Sequence, residues 1–253
     1  MHWIGLKTLV FRECAVILRF WSVTLAPPVI TTILYFAIFG EIIGERIGTI
    51  DGVDYIQFMA PGLIVLWVTP YSFGHTAAGL IGARHFKYIE ELLVAPLPDW
   101  VIMAGYVLGG MLRGLLVGLA VALTTLFFTH LNVHSVTVSV AALLLAAVVS
   151  ALGGFITAML AKTFEHVTAI QILILTPLTY IGGVFTPVSM LPNWAQHLSL
   201  ANPMFYMVNA FRYGLLGVSD VPVGMAFAVV SALGAVLFFT CVTLMAHGTG
   251  FRE

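Results

Sequence analysis

Charged side chains are scarce in this chain, and their scarcity excludes a soluble globular domain. Asp, Glu, Lys and Arg make up 8% of the 253 residues, hydrophobic residues make up 60%, and the mean hydropathy is +1.06. A soluble domain carries about 25% charged residues. The bilayer is the solvent that fits this composition. The ten basic residues do not exceed the eleven acidic ones, so the charge balance does not point to nucleic acid as a partner.

The sequence also lacks the motifs of nucleotide-binding and hydrolytic sites. No lysine follows a glycine, so there is no P-loop of the form Gly-x-x-x-x-Gly-Lys-Ser/Thr. His-Glu-x-x-His and Gly-x-Ser-x-Gly are absent too. We therefore expect no catalytic residue, no metal site and no cofactor bound by this chain. The two cysteines, Cys14 and Cys241, fall in segments that we place at or near the cytoplasmic side, where a disulfide is not expected. Charges are spread through the first 20 residues, so we expect no cleaved signal peptide.

Six stretches are long and apolar enough to cross a bilayer. The first, residues 20–40, holds no Asp, Glu, Lys or Arg over 21 residues, which as a helix span about 30 Å, one hydrocarbon thickness. The other spans are predicted at 55–83, 100–129, 136–161, 167–185 and 221–247. Span three repeats a small residue every four positions, at Gly110, Gly114 and Gly118, which lets another helix approach closely. We predict an all-α integral membrane protein with six transmembrane helices.

Residues 84–98 hold a cluster of charges between two apolar spans, so they must lie outside the bilayer. If this segment forms a helix with 3.6 residues per turn, its apolar face is made of Phe86, Ile89, Leu92 and Leu93. The prolines that follow, Pro96 and Pro98, end the helix. We predict a short amphipathic helix whose charges orient its docking on a partner.

Two further segments differ from the spans. Residues 1–19 mix apolar and basic side chains at helical spacing, which predicts an amphipathic helix in the membrane interface. Residues 187–220 are apolar but are broken by prolines and polar side chains. Two short helices, about 192–200 and 203–216, that enter the outer leaflet and return would satisfy this pattern. We predict a re-entrant outer helical hairpin between spans five and six, and a single domain over residues 1–253.

The distribution of basic residues predicts the orientation. If the N-terminus is inside, two basic residues, Arg46 and Arg212, lie on the outer side, and Arg113 lies within the membrane. Seven lie on the inner side: Lys7, Arg12, Arg19, Arg84, Lys87, Lys162 and Arg252. We therefore predict that both termini, and the segment 84–98, are cytoplasmic.

The charged segment 84–98 and the interrupted segment that follows span five carry two groups of motifs. Together they resemble a known family, the ABC type-2 (ABC-2) transporter permeases, closest to the YadH-like subgroup of bacterial inner membranes. The first resembles the family's coupling-helix region, in which an acidic pair precedes Leu-Leu and a proline: Lys87-Tyr-Ile-Glu90-Glu91-Leu-Leu-Val-Ala-Pro96-Leu-Pro98. The second resembles its signature at the end of span five and in the outer hairpin: Gly182-Gly183-Val-Phe-Thr-Pro187, Leu191-Pro192-x-Trp194, Asn202-Pro203-Met-x-Tyr206 and Phe211-Arg212-Tyr213-Gly214.

The resemblance implies the permease subunit of an exporter, located in the bacterial inner membrane. Such a half-transporter forms a homodimer and binds two copies of a soluble ATPase subunit, which hold ATP and Mg²⁺. The implied ATPase-coupling interface comprises Arg84, Lys87, Glu90, Glu91, Leu92, Leu93 and Pro96. The implied outer gate comprises Pro187, Pro192, Trp194, Asn202, Pro203, Tyr206 and Arg212. A substrate path between the two copies, lined mainly by spans one, two and five, would include Pro28, Arg113, Pro177 and Tyr180.

Each of these roles has a structural alternative. Glu90 and Glu91 could be the solvated face of a surface helix, and the hairpin residues could simply end and anchor re-entrant helices. Arg113 could serve substrate or gating, or could tie its helix to carbonyls or to a carboxylate such as Glu41. His75, inside span two, is expected to be a hydrogen-bonded core residue.

Two other classes of function remain as alternatives. A stand-alone secondary transporter or channel places several ionisable groups in the membrane, and here Arg113 and His75 are the candidates. A membrane enzyme would need a cluster at one face, and the outer acids lack a partner base: Glu41, Glu45, Asp51 and Asp54. The small number of charges within the spans favours an amphiphilic cargo, such as a lipid-like molecule, a glycolipid or a drug.

Overall fold

The computed structural model describes residues 2–43, 48–50, 52–94, 97–131 and 133–248. The predictions that involve Glu45, Arg46, Asp51, Pro96 and Arg252 lie outside the described residues. Within the described ranges the chain forms helices and one small β-hairpin, in agreement with the predicted all-α class.

The described ranges contain eleven α-helices and two short strands. In chain order these are α1 (His2–Arg19), α2 (Trp21–Tyr35), β1 (Thr49–Ile50), β2 (Val53–Asp54), α3 (Tyr55–His85), α4 (Ile89–Val94), α5 (Asp99–Thr125), α6 (Val136–Leu160), α7 (Phe164–Ile170), α8 (Thr176–Ile181), α9 (Asn193–Ala201), α10 (Pro203–Leu216) and α11 (Val223–Ala246). A π-helical segment, Phe36–Ile43, continues α2, and another, Gln171–Leu175, joins α7 to α8. The strands pair antiparallel, with Ile50 opposite Val53.

Six helical segments are long and apolar enough to span a bilayer, and they confirm the predicted number of spans. They are Trp21–Gly40, Tyr55–His85, Asp99–Thr125, Val136–Leu160, Phe164–Ile181 and Val223–Ala246. Each begins and ends within a few residues of the predicted boundary. The agreement has a simple cause: polar and charged residues cluster between these stretches, so hydropathy alone marks where each stretch ends.

Helix α3 is the centre of the bundle and packs mainly against α5 and α6. Within its apolar window 72% of the residues are buried. The small-residue face of α5 explains the closeness of the α3–α5 contact, because a Cβ at Gly114 would overlap the Ser72 hydroxyl and one at Gly110 would overlap the Thr76 hydroxyl. The predicted helix approach along this face is confirmed.

The helices of spans one, five and six lie at the outside of the bundle. Only 28% of the window of span one is buried, and 17% of each of spans five and six. The buried apolar side chains form two clusters, one around the half of α3 that contains Phe58 and Leu63, the other around the half that contains Leu80. Among the described residues, these three helices therefore keep most of their apolar surface exposed in the single chain.

Helix α1 packs along the first half of α5. Its buried side chains, Leu9, Glu13 and Ile17, recur every four residues and form one stripe. Trp3 and Phe11 are exposed on the opposite side. Helix α1 approaches α5 closely along this stripe because Gly105 and Gly109 of α5 face Leu9 and Glu13. A charged residue therefore lies within the packed face of this amphipathic helix.

The segment after span five forms two short helices, as the sequence predicts. Helices α9 and α10 begin and end within one residue of the predicted limits. Asn202 caps α10, because its Oδ1 accepts a hydrogen bond from the backbone N–H of Met204 at 3.0 Å, and Pro203 takes the first helical position. Gly217, at φ 76°, ends α10 in the left-handed conformation.

Candidate functional site

The segment predicted to couple to a partner begins with an arginine that is anchored inward. Arg84 lies in the last turn of α3, and its Nη1 donates to the carbonyls of Ala158, Met159 and Ala161 at 2.6, 3.3 and 3.0 Å. These carbonyls end α6, where a cation also compensates the helix dipole. The contact ties the end of α3 to the end of α6.

The chain turns sharply between α3 and α4. Lys87 adopts φ 62°, a left-handed conformation that costs a non-glycine residue about 1–2 kcal/mol. One continuous amphipathic helix was predicted from residue 84, but the described helix begins at Ile89, after this turn. Phe86, predicted on the apolar face of that helix, precedes it and is 71% exposed.

Helix α4 rests on the bundle through Ile89, which is 5% exposed and belongs to the core cluster around Leu80. Glu91 and Val94 point away from the bundle. Glu90, Leu92 and Leu93 lie in the same helix, described by its backbone, and Pro96 lies outside the described residues. The helix therefore has one side seated on the protein and another side that is available to a partner.

Polar side chains hold helices α9 and α10 to each other and to the end of span five. The Asn202 Nδ2 donates to the carbonyl of Leu178 at 2.6 Å, and the Tyr206 hydroxyl donates to the carbonyl of Leu200 at 2.8 Å. Ser199 donates to the carbonyl of Ile181 at 3.1 Å. These bonds satisfy backbone groups that have no helical partner at the ends of α8 and α9.

Arg212 is fully buried at the centre of this region. Its Nη2 donates to the carbonyl of Gly183, its guanidinium lies 3.9 Å from the centroid of the Phe58 ring, and its Nη1 lies 3.6 Å from an Asp220 carboxylate oxygen. The side chain thus links α10, the turn after span five and α3. Desolvated cation–π and charge-assisted contacts of this kind are strong.

The prolines and the tryptophan of the hairpin occupy its boundaries. Pro187 precedes the 3₁₀ turn Val188–Met190, and Pro192 precedes α9. Trp194, in the first turn of α9, is 68% exposed. These positions fit the ends of the short helices, and their predicted part in a gate remains a prediction.

The residues predicted to line a substrate path fall in two places. Tyr180 in α8 lies on the bundle surface, with its hydroxyl oxygen 2.7 Å from that of Tyr35 in α2, and Pro177 in the same helix is exposed. Pro28 is buried, one turn after Thr24 on α2. Arg113 contacts Thr24, so it lies near Pro28 and not near Tyr180.

Arg113 joins three helices inside the bundle. Its Nη2 donates to the Thr24 hydroxyl at 2.8 Å, and its Nη1 lies 3.0 Å from Nδ1 of His75. Because a guanidinium can only donate, Nδ1 must accept, and the proton of the neutral ring is on Nε2. His75 is buried and hydrogen-bonded, as expected. The described hydrogen-bond partners of Arg113 are thus a hydroxyl and an imidazole, and not the suggested carbonyls. The suggested contact with Glu41 lies outside the described side chains.

The sequence analysis missed the third member of this cluster, Glu13 of α1. Its Oε2 lies 2.9 Å from His75 Nε2, and its Oε1 accepts from Arg12 at 2.7 Å. Burial alone would raise the pKa of the Glu13 carboxyl, but the contacts with His75 and Arg12 hold that pKa below its ordinary value of 4.5. Arg12, Glu13, His75 and Arg113 form one polar chain, which we call the inner polar cluster.

One signal in the sequence could have pointed to the inner polar cluster. Gly105, Gly109 and Arg113 are spaced every four residues on α5, so two glycines and an arginine share one helix face. That face receives α1, which carries the only acid in residues 2–19. In the part of the chain that the structure describes, no three His, Cys, Asp or Glu residues are grouped in a way that could hold a metal ion.

Six apolar spans, an inward-packed amphipathic N-terminal helix and short helices between spans define a multi-pass integral membrane protein. The ABC-2 type transporter family matches residues 5–216, and the chain belongs to this family. It is accordingly the membrane subunit of an ABC transporter.

Two relatives illustrate the similarity to known proteins. Inner membrane transport permease YadH of Escherichia coli (strain K12) is 44% identical over 253 residues, which cover all of this chain and 99% of the relative. Nodulation protein J of Rhizobium meliloti (strain 1021) is 24% identical over 214 residues, which cover 84% of this chain and 82% of the relative.

Proposed function

We propose that this chain is a transport permease of the bacterial inner membrane, with both termini in the cytoplasm, that exports an amphiphilic cargo. Two copies form the path, and two copies of a soluble ABC ATPase bind beneath it and supply the energy of ATP, held with Mg²⁺ on the ATPase. The relative named an inner membrane transport permease supports the location and the class, because it matches this chain over its full length.

The observation that carries the proposal is the way α4 is attached. Arg84 fastens the end of α3 to α6, and Ile89 packs α4 against the core, so these contacts connect the short helix to the bundle. At the same time Glu91 and Val94 are exposed. A helix that is rigidly connected on one side and exposed on the other can transmit a push from an ATPase. We therefore assign α4 as the coupling helix.

Charge reversal on α4 tests this assignment. In the permease purified with its ATPase, Glu90→Lys combined with Glu91→Lys should reduce substrate-stimulated ATP hydrolysis at least tenfold, because like charges would replace complementary ones at the docking surface. Elution as the same oligomer would show that the permease remains intact. Glu165→Lys, the same replacement at an exposed position at the start of α7, is the matched control. Full stimulation in the double variant would contradict the coupling role.

The poorly buried spans support a homodimer. Span one and span five expose adjoining apolar faces, and their contact point is the hydroxyl pair of Tyr35 and Tyr180. Ile172, Leu173 and Ile174 are all exposed on span five. In a variant without Cys14 and Cys241, a single cysteine at Leu173 should give a cross-linked dimer in native membranes. A cysteine at Phe239, exposed on span six, is the control. Equal cross-linking at both positions would argue against this interface.

One observation favours the alternative of a stand-alone secondary transporter, because Glu13 and His75 form a pair of ionisable side chains inside the bundle. Transport into proteoliposomes separates the two readings. An ABC permease should move cargo only when the ATPase and ATP are present. Transport by the permease alone, driven by a pH gradient, would instead establish the secondary transporter.

A further inference from the structure

A cavity of about 490 Å³ lies between α1, α3 and α5 and is partly open to the outside of the bundle. Among the residues that the structure describes, its polar lining consists of Arg12, Glu13, His75, Tyr88 and Arg113. Arg12 lies at the rim with Val16, and both are more than a third exposed. Glu13 and His75 form the floor, where their side chains are 6% and 5% exposed. The inner polar cluster is thus one wall of a pocket that a ligand could enter.

The charges of this lining do not cancel. Arg12 and Arg113 are cations, Glu13 is the one carboxylate among the described lining residues, and His75 is neutral in the tautomer that Arg113 requires. The Arg12–Glu13 pair is close, at 2.7 Å. Among the described residues, no carboxylate lies within 4.0 Å of the Arg113 guanidinium. The described lining residues therefore carry a net positive charge.

The position of Arg113 within α5 indicates that its charge has a function. It is 14 residues after Asp99, the first residue of α5, which places it about 21 Å along the helix. A cation at such a depth is costly and marks a functional site by default. Its guanidinium has five N–H donors, and its described hydrogen-bond partners are the hydroxyl of Thr24 and the ring of His75. Its Cζ also lies 5.9 Å from the centroid of the Tyr71 ring. The buried Nε has no described hydrogen-bond partner.

We propose that this cavity binds the phosphate group of an anionic amphiphile, with Arg113 and Arg12 as the phosphate ligands and the Tyr88 hydroxyl as an additional donor. Planar guanidinium groups match the geometry of phosphate oxygens. The rim favours an amphiphile over a free ion, because Val16 of the lining is exposed and offers apolar surface to an acyl chain. Glu13 keeps Arg12 in place and limits the net charge of the site to about one.

Binding to the purified permease, without any ATPase, tests the proposal. Calorimetric titration in a neutral detergent would use dihexanoyl phosphatidylglycerol, dihexanoyl phosphatidylcholine and inorganic phosphate. Phosphatidylglycerol should bind at least tenfold more tightly than phosphatidylcholine, whose choline cancels the phosphate charge. Binding of phosphatidylglycerol but not inorganic phosphate would identify a lipid headgroup as the ligand. Equal binding of both would keep the phosphate site and overturn the amphiphile.

Charge variants separate a ligand role from a structural one. Arg113→Gln should weaken phosphatidylglycerol binding at least tenfold, and Arg12→Gln, at the more exposed rim, at least threefold. Glu13→Gln should strengthen binding about threefold, because it removes the negative charge from the cavity. A purely structural cluster would lose binding in all three. The control is Arg19→Gln, an exposed arginine of the same helix. Unchanged binding in both the Arg113 and the Arg12 variants would overturn the site.

This site deepens the proposed function, because a headgroup site within the bundle would select the cargo, and its part in transport rests on that function. The test of lipid binding and the test of coupling through α4 have independent outcomes. Loss of coupling in the α4 variants would leave lipid binding to the permease alone unchanged. Absence of lipid binding would leave the docking of the ATPase on α4 intact.

Discussion

Gly109 of α5 provides the space that the Glu13 side chain of α1 occupies. A Cβ built on Gly109 would lie 2.7 Å from both Cβ and Cγ of Glu13, closer than real side-chain contacts allow. The same face of α5 receives Leu9 at Gly105. The two glycines therefore determine how closely α1 approaches the bundle, and whether Glu13 can reach His75.

Replacing this glycine should separate the two helices. We expect Gly109→Ala to lower the free energy of unfolding by about 1–3 kcal/mol, because overpacking forces a shift of α1. Unfolding of the purified permease in mixed micelles measures the change. Gly224→Ala is the control, since a Cβ at Gly224 meets nothing within 4 Å. Equal stability of the two variants would show that α1 does not depend on this contact.

The sequence was sufficient for the spans and for the two short helices α9 and α10, since apolar runs, prolines and an Asn-Pro helix start are local signals. Asn202 and Pro203 mark the start of α10 without any knowledge of its neighbours. The inner polar cluster was not predictable in the same way. Glu13 and His75 are 62 positions apart, and they meet only because two glycines allow α1 to pack along α5. Such a contact depends on how the helices pack, and a single sequence contains little information about helix packing.

The turn between α3 and α4 could not be predicted for a different reason. Left-handed residues are usually glycine or asparagine, but the residue at this position is Lys87. The sequence pattern therefore continues a helix where the structure breaks it. The contact of Arg84 with the end of α6 could not be predicted from the sequence either. A basic residue beside a span predicts a location on the inner side of the membrane, but it does not identify the groups that the side chain binds.

The contact of Arg84 with the end of α6 should be measurable by mutation. Arg84→Ala removes the donor to three carbonyls at the end of α6 and should cost about 1–3 kcal/mol of unfolding free energy. Arg84→Lys should retain part of this stability, because an ammonium still compensates the helix dipole but lacks the planar fork. The same unfolding assay would report both variants. If the alanine and lysine variants lost the same unfolding free energy, the positive charge at this position would contribute nothing to stability.

The carboxyl of Glu13 should make stability depend on pH. Its native pKa lies below the ordinary value of 4.5, so the ionised form is favoured in the folded state. This contribution is complete above that ordinary value and is lost as the pH falls through the native pKa. The melting temperature of the wild type should therefore exceed that of Glu13→Gln at about pH 6, and the difference should shrink towards about pH 3. A difference that stays constant with pH would show that the carboxylate charge is not responsible.

Arg212 and Phe58 should be coupled energetically. Breaking a buried charge pair by removing one partner typically costs about 3–5 kcal/mol, so Arg212→Gln should be among the most destabilising substitutions in α9 and α10. Phe58→Leu keeps an apolar side chain but removes the ring face, and should cost about 1–2 kcal/mol beyond the packing loss. The double variant measures the interaction directly. Because the guanidinium also binds the carbonyl of Gly183, the arginine change alone should exceed the phenylalanine change. Additive effects in the double variant would show that the ring and the cation stabilise the hairpin separately.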